Sequence, residues 1–140
     1  KDAYWSEQVD IQRQVAAAWV LHAEGKRDDA LGAMGAAADA EDKTEKHPVT
    51  PGVPKPAREL YGEMLLDSGK PADALAAFEA TLQKEPNRLG ATVGAAKAAE
   101  KAGDNAKAQE YYRKVVAIAG DADASRTEVS EARAFLTRKS

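Results

Sequence analysis

The apolar positions of this 140-residue chain recur at helical rather than strand spacing. Near the C-terminus Val129, Ala132, Phe135 and Leu136 fall on one side of a helix, with Glu131, Arg133 and Arg138 mostly on the other. Toward the N-terminus Tyr4, Gln8, Ile11, Val15, Ala18 and Trp19 form a second stripe. The β-branched runs that would argue for strands are missing. Between amphipathic stretches stand Gly25, Gly69 and Gly103, each followed five residues later by an alanine, Ala30, Ala74 and Ala108. A glycine there ends one helix at positive φ and lets the next turn back, so each unit predicts a helical hairpin. The pattern predicts seven helices, near 3–24, 28–41, 56–68, 71–84, 87–102, 105–118 and 125–138. Pro71 suits a first helical turn, Asp104 can cap the sixth helix, and Ser125 with Glu128 has capping-box spacing ahead of the seventh.

The second hairpin is the fullest. In "KPARELYGEMLLDSGKPADALAAFEATLQKEP", Gly62, Ala74, Phe78 and Pro86 are separated by 12, 4 and 8 residues. Small residues at Gly62 and Ala74 let two helices touch, Phe78 fills the space beside that contact, and Pro86 stops the second helix. These residues at these spacings resemble the tetratricopeptide repeat, a helix-turn-helix unit that stacks into an all-α right-handed superhelix. A shift of 34 residues places Ala96, Ala108, Tyr112 and Gly120 at the same positions, and a shift of 44 the other way places Ala18, Ala30, Met34 and Asp42 there. The resemblance implies a single domain over 1–140, with repeats at about 11–44, 55–88 and 89–122 and a capping helix at 125–138 whose polar outer face closes the stack. The combination also looks like bacterial tetratricopeptide proteins.

The longer first shift leaves ten extra residues, 45–54, in which Pro48, Pro51 and Pro54 recur every three residues. That period matches a polyproline II helix, and such a stiff connection is longer than usual between packed helices. It is expected to fold back on Trp19 or Tyr61; a gate over the groove and a ligand for another domain are the alternatives. The N-terminal helix begins about two turns before its repeat, which predicts exposed apolar area at that end, either for a preceding unit or for self-association. The chain opens on Lys1 without a signal pattern, as expected of a piece of a longer protein.

Composition narrows the partners. Twenty Lys plus Arg against 23 Asp plus Glu, mixed along every segment, leave no basic stripe for a nucleic acid. No apolar run approaches the roughly 20 residues a membrane span needs. The absence of cysteine removes disulfides, thiolate metal sites and a cysteine nucleophile, and suits either a reducing or an oxidising compartment. No glycine-rich phosphate loop follows a strand and no serine sits in a nucleophile elbow, so no enzyme activity and no cofactor is expected.

The resemblance implies a concave groove lined by the first helix of each repeat. Its groove-facing positions fall on Gln12, Val15, Trp19 and His22, on Glu59, Glu63, Leu66 and Asp67, and on Val93, Lys97, Glu100 and Lys101. The site expected to bind a partner is therefore Trp19, His22, Glu59, Glu63, Asp67, Lys97 and Lys101. Family members that hold the C-terminal carboxylate of chaperones use a clamp of Lys, Arg and Asn; the matching places here carry Val15, Trp19 and Leu60, so that ligand is not expected. Glu59, Glu63 and Asp67 lie four apart on one helix face, which would suit a cationic peptide; an ordinary solvated face is the equal alternative. His22 and His47 could meet Glu59 or Glu63 around a metal ion, but two lone histidines do not make a ligand set and no metal site is expected. The function expected is a scaffold that binds a protein or peptide in the groove. The alternatives are a self-assembly domain and a recruiting region of a larger enzyme.

Overall fold

Helices account for almost every residue that the computed structural model describes, which are 2–44, 55–119 and 127–139. Among them run α1 (Asp2–Ala23), α2 (Arg27–Lys43), α3 (Ala57–Asp67), α4 (Pro71–Lys84), α5 (Leu89–Ala102), α6 (Asn105–Ala119) and α7 (Thr127–Lys139). The 45–54 connection, with its expected packing on Trp19 or Tyr61, lies outside the described residues, as do Ser125 and Gly120.

Three hairpin turns share one construction. Gly25, Gly69 and Gly103 have φ of 81°, 75° and 84°, the left-handed conformation that glycine adopts without cost. After each glycine, the next amide reaches back to the preceding helix: Lys26 N–H to the Leu21 carbonyl at 3.0 Å, Lys70 to Leu65 at 2.9 Å, and Asp104 to Ala99 at 2.9 Å. These bonds satisfy carbonyls that a helix end would otherwise leave open. Asp104 then accepts from the Lys107 amide at 3.1 Å and caps α6, and Pro71 opens α4. α5 starts two residues later than the pattern predicts, because Arg88 is extended and its amide closes a turn onto the Glu85 carbonyl instead.

Consecutive helices pack pairwise along the chain, α1 on α2 through to α6 on α7, and α3 also touches α5. Alanine makes this possible. Ala18 and Ala30, Gly62 and Ala74, and Ala96 and Ala108 are all buried where paired helices meet. Met34, Phe78 and Tyr112 fill the space beside those contacts and are 0%, 0% and 4% exposed. The last of them stacks on Phe135 of α7, with ring centroids 4.7 Å apart, and donates its hydroxyl to Glu100 Oε1 at 2.8 Å. On α7 Val129, Ala132 and Phe135 are buried while Glu131, Arg133 and Arg138 face outward. On α1 Ile11, Val15 and Ala18 belong to the core, so most of the stripe read from the sequence is used internally; the large apolar residues of that helix that stay exposed are Trp5, Val9 and Val20.

The seam between the first and second hairpins is polar. Glu41 accepts the Ala57 amide at 2.8 Å, so a side chain from α2 caps the start of α3. Next to it, Asp42 accepts from Arg58 at 2.8 Å and from Lys84 at 3.0 Å, which joins α2 to α3 and α4. Burial pushes the Glu41 carboxyl above the usual carboxylate range. Burial would raise Asp42 as well, but the hydrogen bonds from Arg58 and Lys84 outweigh it and hold that carboxyl below its ordinary value.

The two groups give opposite pH dependences. Glu41 binds its proton more readily folded than unfolded, so stability is recovered as pH falls through its raised value toward about 4.3. The contribution of Asp42 is complete above the unfolded value of about 3.9 and is lost as pH falls through its lower folded value. Denaturant unfolding across pH is expected to show stability level or rising on acidification from neutral and falling below about pH 4. Glu41→Gln, which keeps an acceptor for Ala57, flattens the upper limb, and Asp42→Asn flattens the lower.

Candidate functional site

The first helices of the hairpins, α1, α3 and α5, line one cleft with the start of α7, and its volume is about 600 Å³. Trp19 comes from α1, Glu63, Leu66 and Asp67 from α3, Leu89, Gly90, Val93, Gly94 and Lys97 from α5, and Glu128 from α7. Lys55, just ahead of α3, stands at the rim, and the Phe78 ring of α4 reaches the floor. Spacings of three and four residues put these side chains on one face of each helix, and the helix pairing turns those faces toward a common space.

The rim is charged and partly paired. Lys55 Nζ lies 2.6 Å from Glu63 Oε1, and Lys97 Nζ lies 3.4 Å from Glu131 Oε2 on α7. Asp67, with its side chain 63% exposed, faces His22 Nε2 at 3.8 Å, a weak contact. The His22 ring meets Trp19 edge-on, with centroids 5.4 Å apart, while its Nδ1 is buried without a hydrogen-bond partner. Three carboxylates, Glu63, Asp67 and Glu128, thus stand against two ammonium groups, around an apolar floor of Trp19, Leu66, Leu89 and Val93. No three metal-ligating side chains converge among the described residues, and His47 lies outside them.

Of the residues expected in the groove, Trp19, Glu63, Asp67 and Lys97 line the cleft, His22 backs Trp19, and Lys101 is exposed away from it. Glu59 departs from the expected open acidic face. It is 0% exposed, its Oε2 accepts from Arg88 Nε at 3.1 Å, and its Oε1 is buried beneath Gly90 at the start of α5. Helix spacing correctly placed it on the face of Glu63, but the N-terminus of α5 covers the end of that face. Val15 departs likewise, being buried in the core, and Glu100 is engaged by Tyr112. The sequence reading missed Lys55, Leu89 and Glu128. For Leu89 and Glu128 the available signal was their position in the first turns of α5 and α7; for Lys55, the end of the proline-rich connection.

Residues 65–128 match the tetratricopeptide repeat family model. No curated protein matches the sequence. Among solved structures, PcrH from Pseudomonas aeruginosa is similar at 18% identity and a TM-score of 0.66, over 92% of this chain and 90% of that one. The TPR domain of P58(IPK) is similar at 18% identity and a TM-score of 0.64, over 98% of this chain and 36% of that one. At such identity the likeness is one of fold, an all-α helical-repeat superhelix. Proteins of this architecture generally serve as protein–protein interaction scaffolds, using the concave surface that stacking creates. With matching hairpin turns and the same small-residue contacts in successive pairs, residues 65–128 belong to the tetratricopeptide repeat family, and the fold of the chain as a whole is similar to its all-α helical-repeat superhelix.

Proposed function

We propose that this protein is a non-catalytic scaffold that holds a segment of a partner protein in the cleft between α1, α3, α5 and α7. One observation carries the reading: an apolar floor holding Trp19 and Val93 lies under a rim where carboxylates outnumber ammonium groups. Such a cleft takes an apolar side chain from a cationic peptide, the floor supplying affinity and the rim steering the approach. Asp67 is the carboxylate best placed to meet an incoming Lys or Arg, because Glu63 is already neutralised by Lys55.

Selection from a random peptide library against the purified domain, followed by titration of the best binders, tests this. Binders are expected to carry a basic residue next to a large apolar one, and Asp67→Lys is expected to weaken them about tenfold or more, a cost of about 1.4 kcal/mol. Affinity is expected to fall with added salt, since the rim is open to solvent. Binders indifferent to Asp67→Lys and to Val93→Glu would move the interaction off this surface.

A further inference from the structure

α5 lies along the bottom of the cleft, and its flanks meet different helices. On one flank Gly90 sits over Glu59 of α3. On the other, Lys97 Nζ lies 3.4 Å from Glu131 Oε2 of α7, and Arg138 of α7 comes within 3.9 Å of Glu100. α3 and α7 are therefore opposite walls, with Leu89, Gly90, Val93 and Gly94 of α5 between them. The two glycines put no side chain into that space, so the middle of the cleft is open and apolar.

The charges divide evenly between the walls. Both ammonium groups are already held, Lys55 by Glu63 of α3 at 2.6 Å and Lys97 by Glu131 of α7. Each wall keeps one further carboxylate: Asp67 on α3, 63% exposed and only weakly in contact with His22, and Glu128 on α7, exposed and without an ion pair among the described residues. We propose that the partner segment is dibasic, with an apolar side chain seated over α5 between two Lys or Arg, one held by Asp67 and the other by Glu128. The proposal rests on the cleft being the binding surface and sharpens what that surface selects.

A segment with a single basic residue would answer one wall and lay its remaining length against the other carboxylate, stripping water from a charge that gains no partner. An acidic segment would meet surplus negative charge on both sides, because the ammonium groups are already paired. Packed helices lie about 8–10 Å apart, which sets the axes of α3 and α7 roughly 16–20 Å from each other across α5. Residues four apart on an extended chain are separated by about 13 Å, and the side chains of the two ion pairs span the rest. Basic residues two positions to either side of the apolar one therefore reach both walls. α7 thus does more than close the stack, since it supplies half of the charge that the partner meets.

Fluorescence anisotropy of a labelled Lys–Ser–Leu–Ser–Lys peptide with blocked ends, at about 20 mM salt where screening is weak, tests the proposal. In the parent protein, Gln in place of either lysine of the peptide is expected to weaken binding about two- to fivefold, the range of an exposed ion pair. Asp67→Asn is expected to remove the sensitivity to one of the two lysines and Glu128→Gln the sensitivity to the other, with helix content unchanged in both. If Asp67→Asn weakens binding but Glu128→Gln leaves the affinity and both lysine effects as they were, the dibasic partner is overturned and the cleft reading stands. The same holds if both carboxylates act on one lysine. No binding up to about 1 mM would also overturn the dibasic partner, the cleft reading then resting on the library selection. A peptide that binds the parent and the Asp67→Asn, Glu128→Gln and Val93→Glu proteins equally well would sink both.

Discussion

Glu59→Ala is expected to destabilise the protein by about 2–3 kcal/mol, lowering the melting temperature by roughly 5–15 °C. The guanidinium of Arg88, bonded to Glu59 at 3.1 Å, would lose this one of its interactions, and the N-terminus of α5 would lose the carboxylate beneath it. The cost comes from emptying the fully buried Glu59 site and from weakening the hold on a guanidinium that is itself 23% exposed. Two further variants separate this account from simple loss of volume. Replacing both partners, Glu59→Met with Arg88→Leu, is expected to recover most of the loss. Gly90→Ala, whose new Cβ would stand 2.7 Å from Glu59 Oε1, is expected to destabilise the parent but to be tolerated once Glu59 is alanine. Chemical denaturation of the variants reads all of these, and additive losses would rule out the contact.

Phe78→Ala is the second large effect, about 3–5 kcal/mol. The ring is 0% exposed and lies between two glycines on different helices. A Cβ at Gly62 would meet it at 2.9 Å, and one at Gly94 would press on it more closely still. This single side chain therefore fills the space where α3, α4 and α5 converge, and its loss opens a void that the surrounding backbone cannot close. The converse change, Gly94→Ala, is expected to cost about 1–3 kcal/mol by overpacking, against a gain of nearly 1 kcal/mol in helix propensity. In a Phe78→Leu background the Gly94→Ala penalty should shrink. Equal penalties in both backgrounds would mean that the ring is not what Gly94 accommodates.

Much of this architecture was legible because it is local. Gly25, Gly69 and Gly103 mark the turns through backbone geometry that belongs to the glycine itself, and the alanine five residues on marks the next contact. Gly62, Ala74 and Phe78 could be read together because the repeat holds them at set spacing within one hairpin. Gly94 was not read, since its partner ring lies in the preceding hairpin and nothing within α5 points to it. Of the groove positions that the family resemblance implied, Trp19, Glu63, Asp67 and Lys97 line the cleft; which parts of the helix faces stay open depends on neighbouring helices.

The sequence by itself determined the helices, their turns and the stacking of hairpins, because caps, left-handed glycines and small-residue contacts act over a few residues of chain. Only the tertiary structure decided the fate of the charges and of the N-terminal stripe. Glu59 and Arg88 lie 29 residues apart and pair only when α5 settles over α3, which turns part of an acidic face into an ion pair with a fully buried carboxylate and a partly buried guanidinium. Ile11 and Val15 pass into the core while Trp5, Val9 and Val20 stay largely exposed, because α2 packs against one side of α1. Helical spacing says which side chains travel together; the neighbour that buries them is set by packing across the chain.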